Sequence, residues 1–248
     1  MAGGASMLKP AARPVEERRS KQYGRARRID HHGVNTGRSY EIMTTRHTRA
    51  EPDRRARAIA ASVSRIMRMR DRLRGDGTTA QPFVSIGCGD GRVAALVSAR
   101  AARAALGADP APPARISIPA VASADHRLPF PDGAAAYVLM ADVLRRSADP
   151  VTLLREALRV GRHGVILTDR LVRRRGDRLL LRALDLGDGS PQTLRYWTER
   201  QWWEMAERAG AQVTHWERLR DVYAPPASWV FGRHLHVVMV LERDPAIA

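Results

Sequence analysis

The segment 83–93, with the sequence FVSIGCGDGRV, constrains the fold of this chain more than any other stretch. A short apolar run is followed by glycines at alternate positions (Gly87, Gly89 and Gly91) and then by an alanine-rich stretch. An apolar run bounded by turn residues is typical of a buried parallel strand. Glycine lets the backbone turn sharply and approach a ligand, and a following helix offers free N–H groups. The segment predicts a strand, loop and helix that hold a nucleotide-like cofactor, or alternatively a plain tight turn.

The loop spacing G-x-G-x-G is one residue tighter than the dinucleotide-binding pattern G-x-G-x-x-G. Asp109 follows Gly89 by 20 residues, at the end of a short predicted second strand. An acidic residue at this distance commonly accepts hydrogen bonds from ribose hydroxyls. The alternative is an ordinary loop aspartate ahead of Pro110. Both interpretations stay open at the level of the sequence.

Length and composition restrict the class of protein. A chain of 248 residues that is 44% hydrophobic forms one large domain or two small ones with a substantial core. We expect no membrane span and no secretory signal, because no run of 18 apolar residues occurs and the N-terminus lacks an apolar stretch behind its charges. The single cysteine, Cys88, excludes an internal disulfide and a cysteine-based metal site. These features together predict a cytoplasmic protein.

The formal net charge of +16 raises the question of a nucleic-acid partner. Its distribution weakens that interpretation. Residues 1–75 hold 19 basic and 7 acidic side chains, whereas residues 76–248 hold 23 and 19. The predicted folded part is therefore only mildly basic, which disfavours a dedicated nucleic-acid surface.

The chain divides into a tail and a folded domain. Residues 1–45 are rich in Gly, Pro, Arg and Ser without apolar periodicity, which predicts a disordered basic tail; Met43 is an alternative start, so residues 1–42 need not belong to the natural protein. Residues 53–74 show apolar side chains at helical spacing on one face and arginines on the other, which predicts a helix laid on the domain. Docking of this helix onto nucleic acid is the alternative. The domain is placed at residues 46–248, with a cofactor half at 83–170 and a substrate-side half at 171–248.

Strand and helix signals alternate through the rest of the domain. The predicted elements, in order, are a helix at 93–106, strands at 106–109, 136–142 and 164–168, helices from 150 and from 199, and extended stretches at 211–222 and 229–241. Asp149 followed by Pro150, and the capping box from Thr198 to Gln201, mark the starts of the two later helices. This order predicts an α/β sheet whose last pair of strands is antiparallel.

Three segments resemble the class I S-adenosylmethionine-dependent methyltransferases, and among them the type 11 group. They are IGCGDG at 86–91, LPFPDG at 128–133, and the stretch from DVL at 142–144 through DP at 149–150 to LLREALRV at 153–160. The resemblance extends over roughly residues 46–243. It implies a Rossmann-like, seven-stranded, mostly parallel sheet with an antiparallel last strand and helices on both faces. It also implies S-adenosylmethionine as cofactor.

The resemblance implies a set of cofactor-binding residues around the ends of the first, second and fourth strands. These are Ser85, Gly87, Cys88, Gly89, Gly91, Asp109, Asp125, Met140 and Ala141. In this set the glycines leave bare backbone for the amino-acid portion of the cofactor. Asp109 corresponds to the ribose-binding acid, Asp125 to an acid that reaches the adenine, and Met140 with Ala141 to the wall at the fourth strand.

The chain also departs from the family pattern. Ser85 stands where the family usually has Asp or Glu, Asp125 falls one position late, and Arg145 with Arg146 replaces the histidine of close relatives. Such changes leave open a degenerate, non-catalytic methyltransferase-like domain. The preferred function is a small-molecule methyltransferase, and an RNA-directed methyltransferase that uses the basic N-terminal region is a third alternative.

Aromatic and histidine side chains near the C-terminus are the candidates for the acceptor side. They are Trp197, Trp202, His234 and His236, with His236 a weak candidate for a general base and core packing as the alternative role for all four. An apolar wall of this kind suits a flat or aromatic acceptor. His234 and His236 lack a third nearby ligand in sequence, so we predict no metal site.

Overall fold

The computed structural model describes residues 37–75, 81–124, 127–174, 176–187, 194–219, 222 and 235–246. Side chains are described from Arg54 onward within these ranges, except at residues 183, 184, 186 and 187. The sheet and the helices packed on it belong to one compact unit within residues 42–248.

Within the described residues the helices and strands alternate, as expected for an α/β protein. The helices are α1 (Gly37–Arg74), α2 (Arg92–Ala101), α3 (Pro150–Val160), α4 (Asp177–Gly187) and α5 (Glu199–Arg208), with a short 3-10 helix at Leu144–Arg146. The strands are β1 (Phe83–Ile86), β2 (Ala105–Asp109), β3 (Ala120–Ala122), β4 (Val138–Ala141), β5 (Val165–Val172), β6 (Trp197–Thr198), β7 (Ala211–Arg218) and β8 (His236–Arg243).

The strands form a single mixed sheet in the order β3-β2-β1-β4-β5-β8-β7, and the two-residue β6 pairs with β5 outside this path. Neighbouring strands from β3 to β5 are parallel, and β8 runs antiparallel to both β5 and β7. The predicted sheet of seven strands, mostly parallel with an antiparallel last strand, is confirmed. From β1 the chain adds β2 and β3 on one side of the sheet and then β4 and β5 on the other. The strand order therefore reverses between β1 and β4, and the carboxyl ends of these two strands flank that point.

Successive side chains of each strand point to opposite faces of the sheet, so the strands contribute to two separate hydrophobic cores, one on each face. Val84, Val138 and Val165 pack on one face with α3 and α5, while their neighbours Phe83 and Tyr137 pack on the other face with α1 and α2. Strands that are buried on both faces read as continuous apolar runs. This accounts for the apolar stretches in the sequence and confirms the prediction of helices on both faces.

Helix α1 is longer than predicted. It begins at Gly37 rather than near residue 53, so residues 37–45, which were assigned to the tail, are helical. The prediction used apolar periodicity, which is present only in the second half of the helix. Residues 37–51 contain no proline and no glycine after the first position, so nothing in their sequence interrupts the helical backbone.

Helix α2 is shorter than predicted. It ends at Ala101 rather than Leu106, and Ala102 takes a left-handed conformation with φ 51°. The next residue explains the early end. Arg103 is buried and donates hydrogen bonds to the backbone oxygen of Gln81 and to the Asp71 carboxylate of α1. These contacts direct the chain away from the helix axis and toward the sheet, where β2 begins at Ala105.

Both predicted helix starts in the second half of the chain are confirmed. The Asp149 side chain accepts a hydrogen bond from the N–H of Thr152, with Pro150 in the first turn of α3. Thr198 and Gln201 form a reciprocal capping box at α5. These caps satisfy N–H groups that have no partner inside the helix.

Among the described residues the last strand runs from His236 to Arg243, and the first part of the predicted stretch, residues 229–234, lies outside them. In the part of the chain that the structure describes, no helix combines the length and apolar character needed to cross a membrane.

Candidate functional site

An open pocket of about 370 Å³ lies at the carboxyl ends of β1, β2 and β4. Ligands of open α/β sheets bind at this edge, where the strand order reverses. The lining comes from four turns that follow strands, and comprises Ile86, Gly87, Asp109, Pro110, Ala111, Ser123, Ala124, Leu128, Ala141, Asp142, Val143, Arg146 and Ser147. The pocket has the size of an ordinary small-molecule site.

The glycine loop forms one side of this edge. Gly87, Gly89 and Gly91 all have positive φ angles, of 57°, 52° and 73°. Gly89 is the most informative of the three, because a Cβ atom built on it would meet no protein atom within 4 Å. Its backbone therefore faces open space in a conformation that other residues rarely adopt. The loop presents bare backbone to any molecule bound beside it.

Asp109 ends β2 and lines the pocket beside the loop. Its Oδ2 accepts a hydrogen bond from the N–H of Gly89 at 2.9 Å, and its Oδ1 accepts one from the N–H of Ala111 at 3.0 Å. Each carboxylate oxygen has a second lone pair available after these bonds. The two backbone bonds fix the orientation of a carboxylate that can still accept hydrogen bonds from hydroxyls in the pocket.

The other predicted cofactor residues divide between the pocket and the core. Ala141 lines the pocket, whereas Ser85 and Met140 are buried beneath it within β1 and β4. Cys88 is half-buried, and burial, followed by the Asp109 carboxylate, raises the pKa of its thiol to about 11. Asp125 lies outside the described residues.

Of the predicted acceptor-side residues, Trp202 and His236 are buried and Trp197 is partly buried. Trp197 and Trp202 stack edge to face with ring centroids 4.8 Å apart and pack in the core on the face of α3 and α5. They therefore occupy the position that core packing, the alternative role, predicts. His236 is buried at the start of β8, and His234 lies outside the described residues.

A buried cluster of charged side chains lies at the carboxyl ends of β4 and β5. Its centre is Asp185 of α4, which accepts hydrogen bonds from Arg145 at 2.9 Å and from the Tyr196 hydroxyl, and forms an ion pair with Arg170 at 2.7 Å. The side chains of Arg145 and Arg170 are only 2% and 1% exposed. Paired charges of this kind are tolerated in the interior only when their partners are present.

Asp142 connects this cluster with the pocket. It follows β4 directly, has a positive φ of 58°, lines the pocket, and pairs through Oδ2 with Arg55 of α1. A non-glycine residue in this backbone region is uncommon, and such residues concentrate at functional sites. From the sequence, Asp142 was noted only as part of the segment DVL at 142–144, which resembles the methyltransferase family.

The electrostatics of the cluster follow from burial and neighbouring charge. Burial would raise the pKa of the Asp142 carboxyl, but the positive groups around it, foremost Arg55, hold the pKa below its usual range. Burial, and next the Asp142 carboxylate, raise the pKa of Asp169 to about 7. Burial lowers the pKa of His236 to about 3, so its imidazole is neutral at pH 7 and a poor proton acceptor.

Sequence reasoning therefore missed the charged part of the site. Asp142, Asp169 and Asp185 were not proposed as site residues, and Arg145 was noted only as a departure from the family. A local signal existed for two of them, since Asp142 and Asp169 each stand at or near the carboxyl end of a predicted buried strand. No group of three metal-ligating side chains occurs among the residues that the structure describes.

The chain is similar to known proteins in one sequence family and in its fold. Residues 84–168 match the family described as "Methyltransferase domain". No curated protein sequence matches the chain.

Solved structures with the same fold include several methyltransferases. An S-adenosylmethionine-dependent methyltransferase of Thermotoga maritima, described as a possible histamine N-methyltransferase, is 15% identical with a TM-score of 0.53, over 84% of this chain and 96% of that one. Magnesium protoporphyrin IX methyltransferase of Synechocystis, with bound S-adenosylhomocysteine, is 12% identical with a TM-score of 0.50, over 87% and 90%. The mitomycin 7-O-methyltransferase MmcR is 19% identical with a TM-score of 0.52, over 68% and 50%.

At these identities the solved structures show the fold alone. The match to the methyltransferase-domain family covers residues 84–168, which run from β1 into β5 and include the glycine loop. The chain therefore has the fold of these methyltransferases, and residues 84–168 are similar to the methyltransferase-domain family.

Proposed function

We propose that this protein binds S-adenosylmethionine and transfers its methyl group to a small-molecule acceptor. The observation that carries the proposal is the pocket of about 370 Å³, which is lined by the backbone of Gly87 and by the carboxylate of Asp109, held in place by the N–H of Gly89. A cofactor with an amino-acid portion and a ribose needs these two features at neighbouring strand ends.

The residues present fit this cofactor. Gly87 and Gly89 would lie against its amino-acid portion, Asp109 would accept hydrogen bonds from its ribose hydroxyls, and Ala141 with Leu128 would contribute apolar walls. The cofactor supplies an electrophilic methyl group on a positively charged sulfur. The contribution of the protein is to orient the acceptor toward that methyl group and to keep water away.

Ser85 does not prevent this fit. It is buried within β1 and does not line the pocket, so the loop conformation is held by other contacts. These include the bond from the N–H of Gly89 to Asp109 and the bond from the N–H of Gly91 to the oxygen of Cys88 at 2.9 Å. The loop is thus supported without an acid at the end of β1, which favours cofactor binding over a degenerate domain.

The charges of α1 favour a small-molecule acceptor over RNA. Several arginines on its surface pair with acids of the same domain, including Arg65 with Glu217 and Arg70 with Glu242. Arginines held in internal ion pairs release fewer counterions from a nucleic-acid backbone. This supports the interpretation of α1 as a helix packed on the sheet.

Calorimetric titration with S-adenosylmethionine and with S-adenosylhomocysteine tests the proposal. We expect saturable binding of both at a ratio of one per chain. Absence of binding to the folded protein would favour the degenerate, non-catalytic domain. Salt-sensitive RNA binding that disappears when residues 1–52 are removed would favour the RNA-directed alternative.

A further inference from the structure

Among the described residues that line the open pocket, one side chain is cationic, that of Arg146. Arg146 ends the 3-10 helix after β4, where its N–H donates to the oxygen of Val143 at 2.9 Å. Its side chain is exposed, and it forms no hydrogen bond or ion pair with any residue in the part of the chain that the structure describes. A guanidinium group has several N–H donors and no acceptor, so this one is available to a ligand in the pocket.

The charges next to Arg146 are already compensated by other partners. Arg145 donates to both carboxylate oxygens of Asp185 at 2.9 Å. The Asp142 carboxylate, which also lines the pocket, pairs with Arg55 of α1. Both of these acids are thus engaged by arginines other than Arg146, and the positive charge of Arg146 faces the pocket without compensation.

A second arginine adds positive charge at the same turn. The N–H of Arg195 donates to the oxygen of Arg145 at 3.1 Å, and its Nη1 donates to the oxygen of Ala148 at 3.2 Å. The nearest acid in the sequence, Asp149, accepts hydrogen bonds at the start of α3 instead. Two cations at one turn create a positive potential that attracts anions to this side of the pocket.

The carboxylate of the cofactor has a more suitable place than Arg146. Asp109 ends β2, whereas Arg146 follows β4, and β1 lies between these strands, so two strand spacings, about 10 Å, separate their ends. The glycine loop and the start of α2 follow β1, and the cap residue of α2, Gly91, makes no side-chain bond there. A helix N-terminus of this kind suits a carboxylate. A cofactor with its ribose at Asp109 and its amino-acid portion at the loop therefore leaves the β4 side of the pocket to the acceptor.

The charge of the occupied pocket selects the acceptor. The ammonium and carboxylate groups of S-adenosylmethionine cancel, so its sulfur leaves the cofactor with a net positive charge. With Arg146, the pocket would then hold more positive charge than the carboxylate of Asp109 balances. An acceptor with a negative charge restores neutrality, whereas a cationic acceptor would add to the repulsion.

We propose that Arg146 binds an anionic oxygen group of the methyl acceptor, a carboxylate or a phosphate, and so selects acidic acceptors over neutral and cationic ones. This rests on the proposed methyltransferase function and specifies its substrate class. A guanidinium group can donate two parallel hydrogen bonds to such a group, which fixes the orientation of the acceptor as well as its affinity. Leu128 and Ala141 offer apolar contacts to the rest of the acceptor. Arg146 acts here as a residue that determines specificity and orients the acceptor.

Matched probes on one ring test the proposal. Benzoate, phenyl phosphate, toluene and benzylamine are titrated by NMR into the full chain saturated with S-adenosylhomocysteine. We expect benzoate or phenyl phosphate to bind at least about ten-fold more tightly than toluene and benzylamine, because only the anions bond to the guanidinium group. The tighter of the two anions identifies the group as carboxylate or phosphate. Equal binding of both anions and toluene, or tighter binding of benzylamine, would overturn the assignment.

Variants of Arg146 provide the second test. Arg146→Gln keeps a polar side chain but removes the charge, and we expect the preference for the anion to disappear while the affinity for S-adenosylhomocysteine stays within about two-fold. Arg146→Lys keeps the charge and should keep a preference for the anion over benzylamine. The matched control is Arg162→Gln, an exposed arginine before β5 at the opposite edge of the sheet, which should keep the full preference. A preference that survives in Arg146→Gln contradicts the assignment.

The cofactor measurements separate this proposal from the function on which it rests. If Arg146→Gln weakens S-adenosylhomocysteine by about ten-fold or more but leaves 5′-methylthioadenosine unchanged, Arg146 binds the carboxylate of the cofactor and the acceptor assignment is wrong, because 5′-methylthioadenosine lacks the amino-acid portion. Failure of S-adenosylhomocysteine to bind wild-type protein would instead overturn the proposed function, and the acceptor assignment with it.

Discussion

The two sides of the site are built on different physical principles. At the ends of β1 and β2 the pocket is open, and its main features are glycine backbone and the carboxylate of Asp109. At the ends of β4 and β5 the space is filled by charged side chains, with Asp169 and Arg170 only 1% and 2% exposed. The open pocket depends on an absence of side chains, whereas the charged cluster depends on the mutual neutralisation of its side chains.

This difference affects what a substitution does. At the open pocket a new side chain occupies free space, and the fold loses little beyond local backbone strain. In the charged cluster every charge is compensated by others, so removal of one leaves its partners buried and unpaired. We therefore expect changes at β1 and β2 to act on binding, and changes at β4 and β5 to act on stability as well.

The largest effect is expected at Asp185. Asp185→Asn removes the charge that neutralises Arg145 and Arg170 in the interior. Loss of one partner from a buried ion pair costs about 3–5 kcal/mol of unfolding free energy. Chemical denaturation measures this loss. The control is Glu217→Gln, whose partner Arg65 is 51% exposed and for which about 0–1 kcal/mol is expected. Equal losses in the two variants would show that the cluster is not an interdependent unit.

Next in size is the effect of Gly89→Val on cofactor affinity. We expect at least about a hundred-fold weaker binding of S-adenosylhomocysteine by calorimetry, because the branched side chain fills space that the ligand needs and disfavours the positive φ. Gly75→Val is a matched control: its φ is 62°, a Cβ there also meets no atom within 4 Å, and it lies at the end of α1. The control carries the same strain but should bind normally. Weak binding in both would point to strain and not to the pocket.

A smaller effect on the same side is expected at Asp109. Asp109→Ala removes the two backbone hydrogen bonds that fix the loop, together with the proposed hydrogen bonds to the ribose, each charge-assisted bond contributing about 1.5–3 kcal/mol. We expect about ten-fold or more weaker binding. Asp90→Ala removes a nearby carboxylate that accepts from the N–H of Arg92 instead, and it serves as the control for charge. A change of less than two-fold in Asp109→Ala would assign this residue to the loop alone.

The effect that is smallest at neutral pH concerns His236 of the charged cluster, and it grows as the pH falls. Burial lowers the pKa of His236 to about 3. Below about pH 6.5 the unfolded chain therefore binds a proton at this residue, whereas the folded chain does not. This histidine therefore destabilises the fold as the pH falls. The pKa of Asp169, raised to about 7, acts in the opposite direction, because below pH 7 the folded chain gains a proton first.

In wild type the two contributions oppose one another between about pH 4 and 6.5. In His236→Phe only the contribution of Asp169 is left. The unfolding free energy of the variant minus that of wild type should therefore increase by about 1 kcal/mol for each unit by which the pH falls over that range. Denaturant titrations at several pH values measure the difference, with His215→Phe as the control for loss of a histidine. A flat difference for His236→Phe would contradict a neutral, buried imidazole facing Asp142, Arg55, Arg145 and Arg170.

How far the sequence predicted this molecule depended on how local the relevant contacts are. The caps at Asp149 and Thr198 were predicted correctly, because a cap is an interaction between residues three positions apart. The early end of α2 was missed, because it depends on contacts of Arg103 with Asp71 and Gln81, which lie 32 and 22 positions away.

The site shows the same division. The glycine loop and Asp109 lie within 25 residues of one another, and their spacing reflects one strand, one turn and one helix between two neighbouring strand ends. Trp197 and Trp202 were candidates for the acceptor side because they are aromatic, but composition cannot distinguish a core tryptophan from one in a pocket. The structure places Trp202 in the core and Trp197, partly buried, against it.

The sequence by itself determined the α/β class, the antiparallel final pair of strands and the location of the glycine loop, because apolar periodicity and turn residues act over short distances. Only the tertiary structure decided that Arg55, Asp142, Asp169 and His236 meet at one point. They lie in four parts of the chain from α1 to β8, and no local sequence pattern shows that these four parts meet. Their shared burial raises the free-energy cost of leaving any of these charges unpaired, and this cost determines how the side chains are arranged.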